Sequence, residues 1–449
     1  MAVVIEREEW EIPSSAYYLL FLSCFASLFS FPFFSTRSSP FSLHSFDHAQ
    51  ALSFLRFQRG LLLVYSLASV TGSLQMIYGE VEFMRFGLSR DQIALIFSVV
   101  PAVSLFVGSF AGIFSDIKGP RKACLLYCML HLFAGMLKCV NWLPFVWIAS
   151  AFVAIASSLF SFCFETWMVT EHEKQGHRKD LLTDTFWRMT FFESISLLGS
   201  QVLANLLTTD AEGGTPLPFA LAAILAILGF LYIKRKWSRS QDALAIWSYQ
   251  KSFSSHVLRD KKIWALGWAQ ASIHFSTSIF WLLWAPSILA DGRDVQLSRL
   301  YPLFIGSRVL GSTVFPWFYD TSSPYYSQNS LTSAFAIAGL ALSMIAYDYQ
   351  EIGALLMLFC IFHACVGFIL PSLATLRTMY MPNEVRGGMI SMSMGPANAA
   401  ILLVMLAGAY HKAIVNSAIM AVSAFALLTS CGCVHMLKRS KKHQSWHDL

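Results

Sequence analysis

The sequence predicts an all-α polytopic membrane protein: two six-helix bundles plus one extra N-terminal helix. Hydrophobic residues make up 56% of the 449 and charged residues only 13%. A typical soluble domain carries about 25% charged residues, so this chain has too little charge to clothe a soluble surface. Thirteen stretches are long and apolar enough to span a bilayer, whose core of about 30 Å takes about 20 residues of helix. A polar, basic interval at 235–262 divides twelve of them six and six. The same composition excludes a disordered chain and argues against a soluble enzyme.

The spans fall at 16–35, 60–80, 92–115, 122–140, 143–165, 185–207, 216–234, 263–285, 298–318, 331–347, 351–373, 386–408 and 412–437. The first follows an acidic stretch, Glu6, Glu8, Glu9 and Glu11 against Arg7. A signal peptide would begin with positive charge, so this span reads as a retained helix with its acidic end outside. That choice places 23 of the 32 Lys and Arg on the inside, Arg377 and Arg386 among them, and seven outside, Lys138 and Arg299 among them. The positive-inside rule then puts the C-terminus in the cytoplasm. Five segments follow: 1–53 (extracellular N-terminus, extra helix and loop), 54–234 (first bundle), 235–262 (cytoplasmic linker), 263–437 (second bundle) and 438–449 (basic tail). Two six-helix halves joined by a basic linker is a transporter layout. The net charge of +6 thus reports orientation, and no nucleic-acid-binding signature accompanies it. The nine Cys sit in or beside apolar runs, where a free thiol behaves as a small hydrophobe.

Gly112, Asp116, Lys118, Gly119, Pro120, Arg121 and Lys122 follow the second helix of the first bundle. The run resembles the GxxxD(R/K)xGRR signature of the major facilitator superfamily. Gly112, Asp116 and Gly119 match; Lys118 stands one place late, and Pro120-Arg121-Lys122 replaces the usual basic run. The resemblance implies the major facilitator fold. Gly112 would let two helices approach closely. Asp116, at a helix end, would pair with Arg121 or accept from the N-terminus of a neighbouring helix. Breaking such a contact would let the halves rock. The matching position of the second bundle, Gly311 to Asp320, lacks a basic run, so the gate is expected to lean on first-half contacts.

A narrower resemblance, to the molybdate-anion transporter group, rests on Ser53-Phe54-Leu55-Arg56-Phe57-Gln58, Phe164-Glu165-Thr166-Trp167, Glu171-His172-Glu173, Thr185-Phe186-Trp187, Phe280-Trp281 and Trp284-Ala285-Pro286. It covers nearly the whole chain and is closest to the plant branch. It implies uptake of molybdate, a tetrahedral oxyanion, by a secondary transporter in the plasma membrane. Lipid is then a partner, protons are a candidate one, and no cofactor or metal is implied. No residue roles come with it.

Charges at membrane depth are costly unless paired or hydrated, so ionisable residues inside spans are the candidate site. Arg308 lies near the middle of the eighth core helix, with no carboxylate nearby in that helix and small neighbours Gly306, Ser307, Gly311 and Ser312. Its planar fork of donors suits a tetrahedral oxyanion. If unpaired, its removal would relieve a buried charge; the other reading is a pair with a carboxylate from another helix. Arg188, one turn into the fifth core helix, has Glu165 at the same depth as its expected partner, since Glu193 lies five residues on. The other roles open are gating for Glu165, and substrate binding or gating for Arg188. Glu193 is the candidate proton site, because burial favours the neutral carboxyl; a hydrogen-bonded structural carboxylate is the alternative. Gln75 in the first core helix, with Gln270 and His274 on one face of the seventh, completes the polar set. Glu171-His172-Glu173 reads as a solvated loop face.

The absence of a GxxxxGK(S/T) loop argues against direct ATP drive, and no nucleophile motif or His/Asp cluster points to an enzyme. A sugar or organic-anion carrier and a non-transporting sensor or scaffold remain as alternatives. Molybdate and sulfate share charge and shape, so cavity size would separate them.

Overall fold

The computed structural model describes residues 10–37, 47–76, 90–140, 142–176, 180–208, 217–236, 246–257, 260–290, 295–319, 324–347, 351–410 and 416–447. Each of the thirteen apolar stretches is helical over nearly all of its described residues. The first half of the chain holds α1 (Ser14–Arg37), α2 (Asp47–Met76), α3 (Arg90–Val103), α4 (Ser109–Lys118), α5 (Pro120–Cys139), α6 (Leu143–Lys174), α7 (Asp180–Thr208) and α8 (Leu217–Lys236). Then come α9 (Ile246–Val257), α10 (Lys261–Ile288), α11 (Leu297–Phe318), α12 (Pro324–Ala346), α13 (Ile352–Tyr380), α14 (Arg386–Ser393), α15 (Gly395–Tyr410) and α16 (Asn416–His447). α3 and α4 form one span through a π turn, Ser104–Gly108, just after Pro101, whose missing N–H loosens the helical ladder.

Hydrocarbon offers no water to an amide, so each segment satisfies its backbone internally as a helix. Among the described residues eight helical runs are long and apolar enough to cross a membrane: α3–α4, α5, α6, α8, α12, α13, α14–α15 and α16. The chain is a multi-pass membrane protein. The long helices α2, α7, α10 and α11 fall outside those eight because they carry more polar side chains.

α2 packs on α7 and α8, and α5 on α6 and α8; on the other side α11 packs on α13, and α12 and α10 on α16. The two sets meet along α4 against α14, α3 against α15, and α7 against α11 and α13. Gly119, with φ of 98°, turns the chain between α4 and α5 in a conformation that favours glycine, and Pro120 opens α5, where a missing N–H is harmless.

α1 packs on α11. Trp10 forms a parallel bridge with Val295, and Glu11 pairs with Arg299 at 3.4 Å. The Tyr17 hydroxyl donates to the Arg299 carbonyl at 2.8 Å. Leu20 covers Gly306, where a Cβ would fall 2.8 Å from the leucine Cδ1.

Some expectations need correction. The interval 235–262 contains a helix, α9. α6 continues to Lys174, so Glu171-His172-Glu173 lies on a helix rather than a loop. His172 is buried edge-on against Phe54 at 5.7 Å, while Glu173 is exposed. Arg377 and Arg386, counted as loop charges, are buried, as is Lys138, whose ammonium lies 4.7 Å from the Phe219 ring centroid and donates to the Gln75 carbonyl at 3.2 Å.

Candidate functional site

The polar side chains gather at two levels. The first is midway along α7 and α11. Arg308 Nη2 donates to Glu193 Oε1 at 2.6 Å, and the Tyr65 hydroxyl of α2 donates to Glu193 Oε2 at 2.6 Å. Arg308 therefore has a carboxylate partner, contrary to the unpaired reading, and that partner comes from the other set of helices. The side chains retain 13% and 19% exposure. Arg308 Nε is buried without a hydrogen-bond partner among the described residues. Close by, His363 of α13 is packed by rings, with centroids at 4.3 Å for Phe280, 5.3 Å for Trp281 and 5.8 Å for Phe304. Neither of its ring nitrogens has a hydrogen-bond partner among the described residues.

The second level is the end that carries α9. Glu165 of α6 binds Arg377 of α13 through both oxygens, one bond at 2.9 Å from Nε and one from Nη2. Such a forked, charge-assisted pair is among the stronger polar contacts. Arg386 Nη1 reaches Glu165 Oε1 at 3.5 Å and its Nη2 donates to Asn383 Oδ1 at 2.8 Å. Arg377 Nη1 also donates to Gln270 Oε1 at 2.5 Å. Beside them Asp116 of α4 accepts from the backbone N–H groups of Gly387 at 3.0 Å and Gly388 at 2.7 Å. A carboxylate there meets the positive end of α14. A Cβ at Gly112 would overlap the Gly387 carbonyl oxygen, so glycine is what allows α4 and α14 to cross.

The remaining candidates separate from these two levels. The expected Glu165–Arg188 pair does not form, because Glu165 is taken by the two arginines across the interface. Arg188 instead pairs with Asp184 at 2.8 Å, one turn back, and donates to Gln58 Oε1 at 2.5 Å. Gln58 in turn donates to Thr185 at 3.0 Å, and Trp187 Nε1 to Asp184 at 2.9 Å. The 53–58 and 185–187 motifs thus meet in one buried network between α2 and α7. Gln75 is turned away to the His131 carbonyl of α5 at 2.7 Å, a contact inside the first set of helices. His274 Nε2 lies 3.0 Å from Asn398 Oδ1. Arg121 donates to the Ile233 and Lys234 carbonyls, at 3.4 and 3.2 Å, and not to Asp116; Lys122 is exposed. Asp320 lies outside the residues whose side chains are described.

Sequence reasoning missed Tyr65, Asp184, Gln58, Tyr249, His363, Arg377, Arg386 and Asn398. The i,i+4 spacing of Asp184 and Arg188 was a legible signal. Tyr65 and His363 had none.

The family described as sugar transporters with 12 transmembrane helices matches residues 17–361. A Xenopus laevis protein named molybdate-anion transporter is 25% identical over 358 residues, covering 77% of this chain and 78% of that protein. A bacterial homologue of the iron transporter ferroportin, in its outward-facing state, superposes with a TM-score of 0.67 at 16% identity, over 85% of this chain and 99% of that one. The Escherichia coli fucose:proton symporter gives 0.66 at 13% identity, over 86% and 99%. Helix content, the crossing of α4 with α14 and these likenesses agree, and the chain, which is similar to proteins named molybdate-anion transporter, is a membrane transporter of the major facilitator superfamily and belongs to its 12-helix sugar-transporter family.

Proposed function

We propose that this transporter takes up molybdate, or a closely related tetrahedral oxyanion, by secondary active transport. Arg308 is the anion's partner and Glu193 is the internal competitor for it. One observation carries the reading: a guanidinium and a carboxylate, one from each half, face each other midway along their helices. A dianion leaving water needs a fixed positive partner, and the guanidinium fork matches two oxygens of a tetrahedral anion. With no anion present, Glu193 fills that place. A proton arriving on Glu193 cancels its charge and frees the fork for the anion, so proton and anion move together. At the other level, Asp116 with α14 and Glu165 with Arg377 and Arg386 hold the α9 end shut. Basic residues concentrate at that end, which supports its placement in the cytoplasm, with the N-terminus outside and the protein in the plasma membrane.

The family's description favours a second reading, a sugar carrier. A neutral sugar needs no fixed positive partner in hydrocarbon, so a mid-helix guanidinium favours the anion. The test is uptake of labelled molybdate, sulfate and a neutral hexose into transport-deficient cells across a pH series, normalised to surface protein. Saturable molybdate uptake that rises with acidity is expected, and Arg308→Lys should weaken it. Hexose uptake without oxyanion uptake would overturn the proposal.

A further inference from the structure

We propose that Tyr249 of the linker helix α9 is a positioning residue of the gate, holding Asp116 in place for α14, and that Gly388 is glycine to admit it. This rests on the transporter fold and not on the identity of the substrate.

Asp116 receives three donors. Gly387 N–H binds Oδ1, while Gly388 N–H and the Tyr249 hydroxyl share Oδ2, the last at 3.2 Å. The first two belong to α14, the third to a helix of neither six-helix set. Tyr249 is 5% exposed, although Ile246 and Trp247 at the start of α9 are open. Phe253, one turn on, stacks on its ring at 5.8 Å and orients it. Burial, then the Asp116 charge, pushes the phenol's ionisation well above its ordinary range, so the group stays an O–H donor.

The glycines divide the work. A Cβ on Gly387 would fall 2.6 Å from Asp116 Oδ1, whereas one on Gly388 would overlap the Tyr249 hydroxyl oxygen. Gly387 is fitted to the carboxylate, and Gly388 to the phenol. α9 therefore acts as a strap across the closed end. α9 packs on residues 383–385, just before α14, and on α10, so it travels with α14. When α14 leaves α4 the Tyr249–Asp116 bond breaks as well, and a linker that kept α9 away would weaken the gate without touching either bundle.

The test is hydrogen–deuterium exchange on the purified full-length protein in detergent, read on peptides covering residues 386–393. Tyr249→Phe should raise exchange there about tenfold, the size expected when one hydrogen bond to a charged group is lost. Gly388→Ala should do the same, even though alanine is the better helix former. The double variant should add little to either single one, as expected for two changes to one contact. Asp116→Asn sets the reference for an open gate, and peptides from α12 and α16 should stay unchanged. Wild-type exchange at 386–393 in Tyr249→Phe, alongside a rise in Asp116→Asn, would overturn the proposal. So would an equal rise in α12 and α16, which would mean general loosening, and so would wild-type exchange in Gly388→Ala.

Discussion

Arg308 and Glu193 are tolerable at this depth only together. Removing one member of a buried pair typically costs about 3–5 kcal/mol, because the other is left as an uncompensated charge. Taken as unpaired, Arg308 would be relieved by truncation; its bond to Glu193 reverses that sign. Arg308→Ala should reach the cell surface poorly, and Arg308→Ala with Glu193→Gln should recover surface level but not saturable molybdate uptake. Surface biotinylation with uptake checks both halves, and full transport by the double variant would remove Arg308 from the site. Glu193→Gln alone strands Arg308 and should also lower surface level. In the protein that reaches the surface the competitor is gone, so KM for molybdate should fall while turnover also falls, because release now lacks a returning carboxylate. Much of this was legible from one residue: a mid-span arginine among small neighbours. Its partner was not, since the two stand 115 positions apart and no local pattern links them. Arg377 and Arg386 were misplaced for a different reason. Span limits drawn by apolarity stop where polar residues begin, yet α13 runs on to Tyr380.

Among the elements, α4 and α14 cross with almost no slack, because backbone meets backbone at Gly112. Gly112→Ala would force the two helices apart with no change of charge, and Asp116→Asn would remove charge with no change of shape. Both should lower uptake per surface molecule severalfold, the second by weakening charge-assisted bonds to two backbone donors. Uptake equal to wild type in Asp116→Asn would show that the contact does not limit the cycle. The glycine and the carboxylate were readable because their spacing carries the mechanics of a tight crossing. α9 was not. Its twelve residues are mostly Ser, Lys, Gln and aromatic, and a short half-polar helix has the composition of a loop.

For the whole molecule, thirteen helices with an outside N-terminus and an inside C-terminus is the expected topology. Tags at both ends check it: the first should be stained on intact cells, the second only after permeabilisation. Both stained only after permeabilisation would overturn it. The helices themselves were legible because a bilayer demands long apolar runs, a coarse signal that survives any detail of packing. What no hydropathy profile announces is where the extra helix goes. α1 lies along α11, with Leu20 over Gly306 two residues before Arg308. A chain lacking α1 would keep a twelve-helix body, but that flank of α11 would lie bare against acyl chains. Bilayer thickness and lipid type would then press directly on the helix that carries Arg308. The complete chain carries its own lagging there, so a shortened form should be the one whose transport depends on the membrane it is placed in.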